Sequence, residues 1–258
     1  NEVGLGQTSA GESPIGIPFI SRDPPIHTQY RKFVMPALSP ARLEGIESRI
    51  QERVAQLFAE LPLNEAIDIL PRFTAPLPLL TLAELLGLPA ESWRDLYRWT
   101  DAFIGEDDPE LRQSPEEMQA VLGEFLGFCQ HLFDARRANP SQDIASLLAN
   151  TEIGGEPVPF RDFVGNLVLA LVGGNETTRN SLNHSMIAFA ANPDQWDAIR
   201  DDPALLANGV KEMVRYASPV IHMRRTATRD TELGGKAIRK GDKVVVFYPS
   251  GNRDETVF

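Results

Sequence analysis

The chain has 258 residues, 42% hydrophobic and 24% charged, with a net charge of −11. That is enough apolar material for a large globular core, and the acidic balance excludes nucleic-acid binding as a principal role, because neutralising phosphates requires basic surface. One cysteine, Cys129, excludes an internal disulfide framework and fits a reducing, cytoplasmic setting; the four histidines, His27, His131, His184 and His222, lack zinc-ligand spacing, and the longest apolar run, residues 167–172, is too short to span a bilayer.

Residues 1–18 are rich in Gly, Ser and Pro and read as loop, with neither the basic nor the apolar region of a signal peptide. Asp23-Pro24-Pro25 is a helix entry, and the helix is expected to run to about Val34, ahead of Pro36. It sets His27 and Arg31 four residues apart on one face. Ser39-Pro40 opens a second helix whose apolar residues, Leu43, Ile46, Ile50, Val54, Leu57 and Leu61, recur every three or four positions. The weak alternation over 65–70 suggests a short strand, and 76–86 an apolar helix ended by Gly87. Two amphipathic helices follow, over 91–104 and 115–137, joined by a solvated, mobile loop holding Glu106, Asp107, Asp108 and Glu110. Trp93, Trp99, Phe103, Phe125 and Phe128 are assigned to core packing, and Cys129 to a small buried hydrophobe. A short helix over 143–149 and a turn at Gly154-Gly155 lead to the central segment.

The chain is organised around that segment, a helix starting near Phe160 and ended by Asn192-Pro193. At its middle stands Gly173-Gly174-Asn175-Glu176-Thr177-Thr178. Two glycines there cost about 1 kcal/mol each relative to alanine, and a Thr hydroxyl bonding back to the carbonyl four residues earlier bends a helix. The sequence therefore predicts a local break in a buried helix, with room for a large flat object at the glycines and an acid and a hydroxyl beside it. A plain core helix with a packing notch is the competing explanation.

Beyond it, a short helix to about Arg200 precedes one over 203–217 that carries Glu212 and Arg215, an i, i+3 pair that taken alone is a surface ion pair. After Pro219 the pattern turns to strands, over 221–226, 232–238 and 243–248, with turns at Gly234-Gly235 and Lys240-Gly241-Asp242. The expected fold class is mainly α with a small β region, in one domain over residues 1–258.

These motifs, in this order, resemble the bacterial soluble cytochrome P450 monooxygenases. Gly173, Gly174, Asn175, Glu176 and Thr177 match the oxygen-binding helix of that family; His27 and Arg31 match its H-x-x-x-R pattern on an early helix; Glu212 and Arg215 match its E-x-x-R pair; Arg225 is the better match to a further arginine on a strand; and Asn252-Arg253-Asp254 matches its A-N-R-D motif. The resemblance implies a cytochrome P450 fold incomplete at both ends. It implies haem b as cofactor, with His27, Arg31 and Arg225 at the propionates and Gly173 and Gly174 along its face. Thr177 and Glu176 are then the catalytic pair handling oxygen and protons. Leu169, Val172 and Ile221 form an aliphatic wall for the substrate, and Glu212 and Arg215 a buried structural ion pair.

The family's iron ligand is a Cys in a glycine-rich loop after the A-N-R-D motif. No such loop lies within the 258 residues, so the metal-binding Cys is expected beyond Phe258, and Cys129 cannot replace it. The chain is accordingly expected to be an internal piece of a longer monooxygenase and to be inactive alone. The implied reaction is hydroxylation of an apolar alkane, fatty acid, terpenoid or steroid with O2. Electrons come from NAD(P)H through a reductase and an iron–sulfur ferredoxin, and the protein is expected to be a monomer with no membrane span. The alternative is a non-catalytic haem- or lipid-binding helical protein, which would have no need of Glu176 beside Thr177.

Overall fold

In the computed structural model, residues 14–62, 64–105, 108, 109 and 111–258 are described. Glu106, Asp107 and Glu110 of the acidic connector, and residues 1–13 of the N-terminal loop, lie outside the described residues. The chain divides into two compact units, Glu2–Asn175 and Glu176–Phe258.

In the larger unit, helix α1 (Ile26–Val34) begins directly after Pro24-Pro25 and passes into a 3-10 turn at Met35–Leu38. Helix α2 (Pro40–Ala59) starts at the expected Ser-Pro entry. The strand expected over 65–70 is not formed. Asp68 instead caps the amide of Leu70, 3.0 Å away, and the chain coils into a π-helical turn, Leu70–Thr74. Pro71 directly follows the 65–70 stretch and cannot donate to a strand ladder, so its alternation is not realised.

Helices α3 (Pro76–Leu85), α4 (Trp93–Ile104), α5 (Pro115–Ala138) and α6 (Ile144–Ala149) follow. Helix α5 opens with a reciprocal cap: the Ser114 hydroxyl accepts from the Glu117 amide at 3.2 Å, and the Glu117 carboxylate accepts from the Ser114 amide at 2.8 Å. A hairpin of β1 (Glu152–Ile153) and β2 (Glu156–Pro157) turns on Gly154 and Gly155, whose φ of 66° and 87° favour glycine.

The core of this unit gathers Tyr30, Leu79, Leu86, Leu96, Phe125 and Phe163, all fully buried. The aromatics assigned to packing meet there: Trp99 lies 5.3 Å from Phe125 and 4.8 Å from Phe128 between ring centres, and Phe103 lies 5.0 Å from Phe125. Cys129 is wholly buried among them, and burial pushes its thiol well above the usual range.

Helix α7 (Phe160–Ala191) continues through Gly173 to Thr178 without interruption, so the expected break is absent. Phe163, Val164, Leu167 and Leu171 are all buried, and tertiary packing of this kind outweighs a local loss of helix propensity.

The smaller unit takes the second half of α7, then α8 (Pro193–Asp201) and α9 (Leu206–Ala217), the latter entered through a 3-10 turn at Pro203–Leu205. Strand β3 (His222–Thr226) pairs antiparallel with β6 (Lys243–Phe247), Arg224 facing Val245. Strands β4 (Thr231–Leu233) and β5 (Lys236–Ile238) form a hairpin on Gly234 and Gly235. Helix α10 (Tyr248–Asn252) follows β6. Among the described residues no helix is long and apolar enough to cross a membrane.

Candidate functional site

Helix α7 changes character at its middle. Its first turns are buried nearly all round, Leu169 and Val172 are half-buried, and Gly173 is exposed. The two glycines have different surroundings. A Cβ on Gly173 would meet nothing within 4 Å, whereas one on Gly174 would stand 3.2 Å from Leu82 Cδ1. Gly174 therefore lets α7 approach α3, and Gly173 leaves open space where a side chain would stand. Asn175 is fully buried, and among the described residues neither its amide nitrogen nor its amide oxygen has a hydrogen-bond partner.

Glu176 and Thr177 follow, both half-buried. Residues four apart on a helix share a face, which places Thr177 in line with Gly173 and Leu169. The Glu176 carboxylate pairs at 2.5 Å with Arg179, itself only 8% exposed. Arg179 was not among the residues expected at the site. Its signal was the acid–base spacing of three in Glu176-Thr177-Thr178-Arg179.

On α1, His27 is half-buried and Arg31 exposed, one turn apart. Arg31 contacts the Met35 sulfur at 3.6 Å, and among the described residues it forms no ion pair. On β3, the Arg225 guanidinium donates to the Arg224 carbonyl at 2.9 Å, again without an ion pair among the described residues. Ile221 is exposed just before β3.

The end of α9 carries a polar cluster. Arg215 Nε donates to Glu212 Oε2 at 2.7 Å, and the same guanidinium donates to the other carboxylate oxygen and to the Asn252 carbonyl. These bonds hold the Glu212 carboxyl below the usual carboxylate range. Asn252 donates to the Ser218 hydroxyl at 3.0 Å, and Arg253 to the Tyr216 carbonyl at 3.1 Å, fastening the chain after β6 onto α9. The Arg215 guanidinium also lies 4.1 Å from the Phe258 ring centre. The Glu212 side chain is 58% exposed and the Arg215 side chain 21%, with the Arg215 guanidinium against both carboxylate oxygens.

The larger unit thus holds His27, Arg31, Leu169, Val172, Gly173 and Gly174, and the smaller holds Glu176, Thr177, Glu212, Arg215, Ile221 and Arg225. Chemically, the set offers cations without an ion-pair partner for an acidic ligand, an uncovered glycine, and an acid next to a hydroxyl.

Comparison with known proteins bears on the family of the chain. A linalool 8-monooxygenase of Pseudomonas putida is 65% identical over all 258 residues, which cover 63% of its length. A steroid C26-monooxygenase of Rhodococcus jostii is 38% identical over 93% of the chain and 50% of its own. The chain therefore spans between half and two thirds of these relatives. Among solved structures, a Mycobacterium marinum cytochrome P450 in complex with pseudoionone superposes with a TM-score of 0.86 at 35% identity, covering 93% of this chain and 59% of the other. Cytochrome P450-153 from Novosphingobium aromaticivorans superposes with a TM-score of 0.83 at 38% identity, covering 95% and 59%. The sequence profile described as Cytochrome P450 matches residues 81–258, which include the glycine–acid–threonine stretch, the Glu212–Arg215 pair and the segment after β6: the chain belongs to the cytochrome P450 family, as part of its fold.

Proposed function

We propose that the full-length protein is a haem-dependent monooxygenase, hydroxylating an apolar small molecule with O2 and electrons from NAD(P)H delivered through a ferredoxin. The observation that carries this reading is the sequence of environments along α7: uncovered Gly173, then Glu176 paired with Arg179, then Thr177 on the Gly173 face. The names of the relatives, acting on linalool, steroids and methyl-branched lipids, support a terpenoid, steroid or lipid substrate. The acidic composition and single buried cysteine support a cytoplasmic protein, and we take residues 1–258 as part of one domain, acting as a monomer.

The residues present fit haem b. Arg31 and Arg225 have no ion-pair partner among the described residues, and a guanidinium fork matches a propionate; His27 stands one turn from Arg31 as a further donor. The open space at Gly173, where a side chain would stand, suits a flat macrocycle against backbone. Bound haem would supply the oxidising chemistry.

The protein's part is binding, orientation and proton supply. Leu169, Val172 and Ile221 present aliphatic surface to the substrate and exclude water. The Thr177 hydroxyl holds and donates a proton on the Gly173 face. Glu176 reloads it from solvent, and Arg179 orients the Glu176 carboxylate. The Glu212–Arg215 pair, with Asn252, fixes the end of α9.

The reduced, CO-bound absorption spectrum of the full-length protein tests this. The long-wavelength thiolate band is expected. A histidine-type band would favour the non-catalytic haem-binding alternative, and no band would remove haem altogether.

A further inference from the structure

We propose that Asp162 and Asn166, in the first turns of α7, are positioning residues for His27 and Arg31 on α1; this rests on the assignment of those two side chains to the cofactor.

The segment before α1 is clamped on α7. The Gly16 amide donates to the Arg161 carbonyl at 2.7 Å. A Cβ on Gly165 would collide with the Gly16 carbonyl, so that glycine permits the approach. Asn166 is 2% exposed, and its two amide ends do different work. The oxygen accepts from the Phe19 amide at 2.8 Å, and the nitrogen donates to the Asp162 carbonyl at 2.9 Å. The Asp162 carboxylate accepts from Arg22 at 2.7 Å and from the Tyr30 hydroxyl at 3.3 Å.

Both routes end at the proposed cofactor residues. Phe19, fixed by Asn166, has its ring centre 6.0 Å from that of His27 and stacks on Tyr30 at 6.0 Å and 17°. Tyr30, held by Asp162, directly precedes Arg31. Well-packed apolar residues would clamp the segment equally well, because a buried ion pair adds little net stability over them. What directed polar bonds add is a fixed orientation. The arrangement has the form of an outer shell, in which partners of the ligating groups set their geometry.

The test uses the full-length, haem-loaded protein. Asp162→Asn removes the charge at constant shape. Asp143→Asn is the control: Asp143 forms a comparable ion pair, 2.9 Å from Arg136 in the same unit, and caps α6, and its bonds among the described residues go to Arg136, Ser141 and Ser146 rather than to α1 or the segment before it. Two quantities are read: the ring-proton resonances of His27 in the reduced, CO-bound form, and the rate of haem transfer to apomyoglobin. Asp162→Asn is expected to move the His27 resonances and speed haem transfer by about tenfold. Asp143→Asn is expected to lower Tm while leaving both unchanged. Tyr30→Phe, a loss of one hydroxyl, is the second variant and is expected to change both in the same direction. Lower Tm with unmoved His27 resonances and unchanged haem transfer, in Asp162→Asn and Tyr30→Phe alike, would overturn the proposal. Moved His27 resonances together with full haem retention in both His27→Ala and Arg31→Ala would uphold the positioning and overturn the cofactor assignment instead.

Discussion

Gly174 lies against Leu82, with room for no atom beyond the glycine Cα without displacing a side chain that is 4% exposed, while its neighbour Gly173 faces open space. The two positions therefore separate packing from function. Gly174→Val drives two methyl groups toward Leu82 and should cost about 1–3 kcal/mol, as overpacking does. Gly173→Ala should leave stability unchanged or raise it by up to about 1 kcal/mol through helix propensity, yet weaken haem binding, because it places a methyl on the uncovered face. Thermal denaturation and haem titration of both variants check this. Equal destabilisation by both would merge the two roles.

Tyr30 makes the larger unit sensitive to high pH. Burial first, then the nearby Asp162 charge, push its hydroxyl up to about 12 from an ordinary 10. The folded state therefore holds the proton where the unfolded state releases it. Stability from this group is complete below about pH 10 and is lost as pH rises from there through about 12. Other tyrosines and lysines titrate in the same window, so the measurement is a difference. The fall in Tm above pH 10 should be shallower for Tyr30→Phe than for the parent protein, and parallel profiles would contradict the assignment.

At the end of α9 the two members of one ion pair are unequal. Glu212 is largely exposed and, among the described residues, its side chain bonds Arg215, whereas Arg215 also donates to the Asn252 carbonyl and lies over the Phe258 ring. Arg215→Ala should therefore lower Tm more than Glu212→Ala, whose loss is that of a solvent-screened pair. Limited proteolysis should also find the segment after β6 released in the Arg215 variant alone.

The helices that carry this account were legible from punctuation and period. Ser39-Pro40 and Asn192-Pro193 bound the start of α2 and the end of α7 where the structure does, because proline and cap chemistry act locally. The reciprocal cap at Ser114 and Glu117 was equally local and went unread. Two expectations failed for non-local reasons. The alternation over 65–70 had no partner strand, and a strand exists only as a pair. The glycine-weakened centre of α7 stays helical because buried neighbours hold both flanks. Within the site, the residue types and spacings were readable, but most partners were not. Arg179 beside Glu176 was signalled by its spacing of three, but the exposure of Glu212 and the bonds from Asn166 and Asp162 to Phe19, Arg22 and Tyr30 depend on burial or on chain segments distant in sequence, which spacing does not encode.

We infer that Thr177 manages protons on the Gly173 face of α7. Thr177→Ala removes one hydroxyl and one methyl from a half-buried site, and alanine favours helix, so Tm should stay nearly constant. In the full-length enzyme with its native substrate or a working surrogate, the direct measurement is product formed per NAD(P)H consumed. Continued NAD(P)H consumption, a lower product yield and released hydrogen peroxide are expected. An unchanged ratio without extra peroxide would contradict this role of Thr177 and leave Gly173 to Thr178 as a packing notch in an ordinary core helix.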